Sequence, residues 1–277
     1  MTLRSSLRLA AAVAFGVVAL VGPKVLRAIA DPALPKIKIA FAGDSIVDNY
    51  WEGIYRVIDP NACLKGRIEL GRFAHNGTGL TRGDKLYWPR EVRRIGESFK
   101  PDMLVLSIGL NDRQFIVDGE GARTAWGAPN WTEKYRAQIA EFIKGAAASK
   151  AQVLLVGMPV MRSSEDAADV LEKNKMFAEA VATLGAANVH YVAPWKLAAA
   201  GAAGAEADEH FASYGPDRNG RMVQIRTPDG EHFTVAGEDL VAAYLFPKIA
   251  AAFEQTGVRL DRLCDAPDKG VEASKTP

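Results

Sequence analysis

Two cysteines among 277 residues are too few for a disulfide-stapled miniprotein, and four scattered histidines limit the metal-site options. The chain lacks the glycine pattern of a dinucleotide cradle: Gly77 and Gly79 come nearest and do not complete Gly-x-Gly-x-x-Gly with its following acid. No Gly-Lys-Ser/Thr closes a phosphate loop, and no Gly-x-Ser-x-Gly marks an α/β-hydrolase elbow. An excess of one charge is missing too. The formal net charge is +1, without the concentrated basic field of a nucleic-acid binder. With 48% hydrophobic and 24% charged residues, the composition excludes a disordered chain and a collagen-like repeat. There is no internal repeat and, past the amino terminus, no run apolar enough to span a bilayer. What remains is an ordinary globular chain, long enough for one large α/β domain or two small ones.

The first thirty residues read as an export segment. Arg4 and Arg8 precede an uncharged run over 9–22, the length of a leader's apolar region and short of the ~20 residues that cross a bilayer. Ala28-Ile29-Ala30 then supplies small residues around a cleavage point, leaving Asp31 first. A cleaved leader delivering the domain to the periplasm or beyond is the expectation. A retained inner-membrane anchor flanked by Lys24 and Arg27, and a buried cytosolic helix, are the alternatives. Without the four bases of this segment, 30 Lys and Arg face 33 Asp and Glu, a net of −3. Cys63 and Cys264 either form one disulfide that pins the tail in an oxidising compartment or stand as two buried thiols; the sequence leaves both open.

Residues 31–277 read as a single α/β domain. Apolar runs predict strands over 37–42, 67–74, 103–108, 153–158 and 189–193, and helices over 48–58, 89–99, 132–148, 165–184 and 236–254. Strands alternating with helices of this length imply a mainly parallel five-stranded sheet covered on both faces, with active loops at its carboxyl edge. Two connections exceed plain linkers. The insertion at 113–130 carries Phe115 and Trp126, and that at 196–228 has an alanine-glycine run over 198–205, mobile or helical, and a hairpin near 222–225. The 267–277 tail is expected to fray.

Four short blocks occur in a fixed order. Gly43-Asp44-Ser45 follows the first strand, Gly79 the second, and Gly109-Leu110-Asn111-Asp112 the third; Asp229-Gly230-Glu231-His232 precedes the last helix. Together they resemble the SGNH (GDSL-like) hydrolase superfamily over 37–254. The stretch Asn76-Gly77-Thr78-Gly79-Leu80-Thr81 with Trp88-Pro89 is similar to its bacterial envelope-associated branch, the DUF459 proteins. The resemblance implies a three-layer, flavodoxin-like α/β/α sandwich and a serine hydrolase that needs no cofactor or metal.

A serine hydroxyl attacks only when a base takes its proton, which Ser45 and His232 can supply, with Asp229 three residues earlier to orient the imidazole. The plainer roles are a helix cap for Ser45 and a turn opener for Asp229. The resemblance further implies an oxyanion site made by the N–H groups of Ser45 and Gly79 and the Asn111 amide, which can donate where a carboxylate cannot. Gly79 and Gly109 also suit turns, and Asp44 and Asp112 read as acids that tie loops. Trp51, Trp88, Arg113, Phe115 and Trp126 are expected either to line a substrate pocket or to pack the insertions. His75 and His190 read as structural, and Asp208-Glu209-His210 is poor material for a metal site.

The expected activity is hydrolysis of an O-acyl ester on an exported small molecule or carbohydrate, with no nucleic-acid partner and a membrane partner only if the leader is retained. An O-acyltransferase of the same fold, a noncatalytic polysaccharide-binding protein, and a generic lipase or thioesterase are the competing readings.

Overall fold

The structure, a computed structural model, describes residues 36–118, 120–196, 211–260 and 263–264. The leader and its cleavage point, the 198–205 run, Asp208-Glu209-His210 and the 267–277 tail lie outside the described residues.

β1 (Ile37–Gly43) is buried along its last five residues, so it shows no in-out alternation, as expected of a strand covered on both faces. It ends at Gly43, where φ is +148° and an added Cβ would collide with the Ser107 carbonyl. Asp44 then caps α1 (Ser45–Ile58), accepting from the Ile46 N–H at 2.9 Å. This helix starts three residues before the expected 48, because the cap lies inside the Gly-Asp-Ser block. A short α2 (Ala62–Arg67), absent from the sequence reading, is capped by the Asn61 side chain and leads into β2 (Ile68–Ala74). α3 (Trp88–Ser98) takes Pro89 in its first turn, and β3 (Met103–Ser107) is buried throughout. Within the first insertion, β4 (Ile116–Val117) and β5 (Arg123–Thr124) make a small antiparallel pair. α4 (Trp131–Ala147), β6 (Gln152–Val156), α5 (Ser164–Leu184) and β7 (Val189–Val192) follow. The second insertion contains the hairpin β8 (Tyr214–Pro216) and β9 (Met222–Gln224), and α6 (Val235–Glu254) closes the domain.

The main sheet is entirely parallel, in the order β2-β1-β3-β6-β7. From β1 the chain crosses to β2 on one side, then returns past β1 to β3 on the other. Right-handed crossovers in opposite directions put α1 and α3 on opposite faces. α6 packs on α1, while α3, α4 and α5 pack in succession on the other face. Register places Gly43 level with both Ala74 and Ser107. The loops after β1, β2 and β3 therefore leave one rim, at the point where the winding reverses, which is where ligands settle in open α/β sheets.

At the opposite edge, Cys63 of α2 and Cys264 form a disulfide, with Cα atoms 5.7 Å apart and a sequence separation of 201. Among the described residues no helix is long and apolar enough to cross a membrane.

Candidate active site

The loop after β1 is fixed by a carboxylate with no solvent exposure. Besides capping α1, Asp44 accepts from the Gly109 and Leu110 N–H groups at 3.0 and 3.1 Å, joining the first loop to the third. Burial outweighs these hydrogen bonds and pushes its carboxyl up to about 6. Because Asp44 is the cap, Ser45 is the first helical residue and its hydroxyl is left available. Among the described residues the Ser45 N–H has no partner, as expected for a first-turn donor.

Ser45 Oγ lies 2.6 Å from His232 Nε2, and His232 Nδ1 lies 2.9 Å from Asp229 Oδ2. The second Asp229 oxygen accepts from the Thr227 hydroxyl at 2.6 Å and from the N–H groups of Glu231 and His232 at 2.7 and 3.1 Å. Partial burial opposes ionisation, but the Thr227, Glu231 and His232 hydrogen bonds prevail and hold the carboxyl well below the usual range. An ionised Asp229 favours the proton on Nδ1, leaving the Nε2 lone pair for the Ser45 hydroxyl. Hydroxyl, imidazole and carboxylate thus stand in hydrogen-bonded series, and such a series can deprotonate the serine as it attacks.

Asp112, also fully buried, shapes the loop after β2. It accepts from the Leu80 and Thr81 N–H groups, the Thr81 hydroxyl and Tyr135 Oη at 2.8–3.0 Å. Burial pushes the Tyr135 phenol well up, so it remains a donor. An added Cβ on Gly79 would strike the Asp112 carboxylate, which explains the glycine. The Gly79 N–H itself has no partner among the described residues. Asn111 gives one amide hydrogen to the Thr78 carbonyl at 2.9 Å and has a second to offer. The three donors expected from sequence thus sit on the adjoining loops of β1, β2 and β3. Asp44 and Asp112 act as loop ties, as anticipated.

The expected pocket wall fares differently. Trp88 has no solvent exposure: its indole N–H donates to Thr78 Oγ1 at 3.1 Å and its ring meets the edge of Phe142. It cannot touch a substrate; it braces the loop that carries Gly79 from behind. Trp51 is partly buried, stacked on Tyr55 and covered by the Arg72 guanidinium at 4.7 Å. Arg113 is tied to Glu165 and Asp166 at the start of α5. Phe115 has the Arg82 and Arg123 guanidinium groups at 4.8 and 4.9 Å from its ring centre. Trp126 is 41% exposed and meets Trp131 edge to face. His75 lies against Trp88 and 3.8 Å from Glu91, and His190 lies 3.3 Å from Gln152 Oε1.

Sequence reasoning missed three supports. Lys173 is buried 2.6 Å from Asp169 and donates to the Gly109 carbonyl at 3.0 Å, bracing the third loop. Asn49, one turn after Ser45, accepts from the Phe233 N–H beside His232. Arg226 is buried beneath the turn that carries Asp229 and His232. Only the Asp169–Lys173 spacing left a trace in the sequence, and it reads there as a surface pair.

The model for the family described as "Protein of unknown function (DUF459)" matches residues 38–248. The chain belongs to the DUF459 family. The DUF459 domain is similar in fold to a carbohydrate esterase family 3 structure from Talaromyces cellulolyticus, with 14% identity, TM-score 0.50, and coverage of 79% of this chain and 99% of that one. A psychrotrophic esterase from Pseudoalteromonas sp. gives 15% identity, TM-score 0.50, and coverage of 78% and 98%. An acetyl esterase mutant with acetate ion gives 14%, 0.51, and coverage of 79% and 99%. At these identities the likeness is one of fold, and the fold of the DUF459 domain is that of the SGNH hydrolases. Comparison with curated protein sequences gives no match.

Proposed function

We propose that this DUF459 domain is a serine esterase that removes O-acyl groups from an exported or cell-envelope carbohydrate. The observation that carries the reading is the unbroken series Ser45 Oγ, His232 Nε2, His232 Nδ1 and Asp229 Oδ2. His232 takes the Ser45 proton as Oγ bonds to the ester carbonyl carbon, and the carbonyl electrons move to oxygen. The N–H groups of Ser45 and Gly79 and the second Asn111 hydrogen stabilise that charge. The imidazolium protonates the departing alcohol, leaving a Ser45 acyl ester. Water then attacks it with His232 again as base, releasing the acid and restoring the hydroxyl.

The choice of a short acyl group on a sugar draws support from the carbohydrate and acetyl esterases among the structures of similar fold. The exported address rests on the leader pattern before Asp31. Purified protein screened on acetyl, succinyl and longer acyl esters, with Ser45→Ala as blank, tests the reading: Ser45-dependent release is expected. No turnover of any ester by folded parent protein would overturn it. Faster acyl transfer to an added sugar than to water would replace it with the acyltransferase. An intact mass beginning near Asp31 in the exported fraction tests the address.

A further inference from the structure

Arg226 is 3% exposed and, among the described residues, has no carboxylate within ion-pair distance. Its guanidinium is bound by carbonyl oxygens: Glu231 at 2.7 Å, Val160 at 2.9 Å, His232 at 3.3 Å and Gly230 at 3.5 Å, with Met161 Sδ at 3.6 Å. Phe211 and Phe233 flank it at 5.0 and 4.6 Å. Burying a cation among neutral acceptors is costly, and burial lowers its pKa to about 10. An arginine so placed needs a reason beyond packing.

The peptide planes supply it. The Gly230 carbonyl shares a peptide with the Glu231 N–H, which donates to Asp229 Oδ1. The Glu231 carbonyl shares the next with the His232 N–H, which donates to the same oxygen. The His232 carbonyl shares the third with the Phe233 N–H, which donates to Asn49 Oδ1 on α1. A trans peptide points its two ends in opposite directions. Three consecutive units therefore present carbonyls to Arg226 and N–H groups to side-chain oxygens. Two of those oxygen contacts fix the acid, and the third ties the histidine turn to the helix of Ser45.

We propose that Arg226 is the positioning residue of this site: from beneath the turn it orients the three peptides that hold Asp229 and set His232 against Ser45. The proposal deepens the esterase reading and rests on it for its consequence in catalysis. Among the described residues, the charged or titratable groups that act most on Arg226 are Tyr50, Asp229, Arg162 and Glu231, with His232 on the turn it supports. The Arg162 side chain donates to the Pro228 and Thr227 carbonyls, and its backbone N–H shares the Gly230 carbonyl at 3.1 Å. The Thr227 N–H and hydroxyl share the His232 carbonyl at 2.9 and 3.2 Å, so Arg226 is the group that reaches all three carbonyls and the one on Glu231 most closely.

Parent, Arg226→Lys and Arg226→Met proteins are compared, each with its folded fraction measured by circular dichroism. Lysine keeps the charge but not the fork that spans several carbonyls. A carbon-13 NMR titration of the Asp229 carboxyl is expected to move up by about one unit or more in Arg226→Met, as its N–H donors turn away. On an acetyl ester, kcat is expected to fall about 100-fold in Arg226→Met with KM little changed, on the scale of lost catalytic geometry. Arg226→Lys is expected to recover less than half of the loss on a logarithmic scale. Folded Arg226→Met with Asp229 titrating as in the parent would overturn the proposal, as would full rescue by lysine. If the parent turns over no ester, the esterase reading fails, and the Asp229 titration alone decides the role of Arg226.

Discussion

The Asn111 amide and the Thr78 carbonyl are hydrogen-bonded at 2.9 Å, and that carbonyl shares its peptide with the Gly79 N–H. One side chain therefore supplies a donor and also fixes the direction of another. Asn111→Ala is expected to lower kcat by at least the roughly 10²–10³ that follows loss of a single preorganised donor, with KM little changed. Asn111→Asp is expected to be no better, since a carboxylate would face the developing charge. Melting temperature measured beside kcat separates this from a mere loop brace, which would lose stability first.

Ser45, His232 and Asp229 form one chain of hydrogen bonds, so their losses are expected not to add. Ser45→Ala and His232→Ala should each remove turnover by orders of magnitude, and the double variant little more. Asp229→Asn should also be severe, because it weakens the hold on the imidazole. A serine-directed phosphonate should label Ser45 in the parent and leave Ser45→Ala unmarked, as read by peptide mass.

The buried Asp44 makes stability depend on pH in an uncommon direction. Its folded carboxyl lies at about 6 against 3.8 as the reference, so between these values the folded chain keeps a proton that the unfolded chain has released. Stability from this group is full below about pH 4, falls as pH rises through 6, and is flat above. The change is on the order of 3 kcal/mol. Denaturant midpoints from pH 4 to 7 should show the slope, and Asp44→Asn should remove it.

The Cys63–Cys264 disulfide closes a loop of 201 residues at the amino edge of the sheet, away from Ser45. A non-reducing peptide map should contain that pair. Replacing both cysteines with alanine is expected to cost about 2–4 kcal/mol of stability by freeing the unfolded chain. Ester turnover below the melting transition should be unchanged.

Trp126 is the most exposed of the four aromatic side chains expected to meet substrate. If its face carries a sugar ring, Trp126→Ala should raise KM several-fold on a glycoside ester and leave kcat intact. An acetyl ester of a small phenol, which has no ring to stack, should be turned over as by the parent.

Much of the framework was legible because buried parallel strands write themselves as unbroken apolar runs: β3 and β7 lie within a residue or two of expectation. The site blocks were legible through their order along the chain. β4 and β5 were not, since two-residue strands have no period to detect. Trp88 misled because an aromatic ring beside a proline at a helix start does not reveal whether it faces solvent. Lys173 and Arg226 were invisible for a related reason. A charged residue is read by default as surface, and only the packing of distant segments shows that its partners are carbonyls in the core.

The direction of β1 gives the molecule a top and a bottom. The chain enters the sheet at Ile37 and reaches Ser45 only after the seven residues of this strand, about 23 Å at the usual rise. If the chain before Ile37 were held at a bilayer, the reactive rim would face outward, a sheet's length from the lipid. On the proposed esterase reading, acyl groups on polymer above the bilayer would then lie within reach of that rim and the lipid headgroups would not.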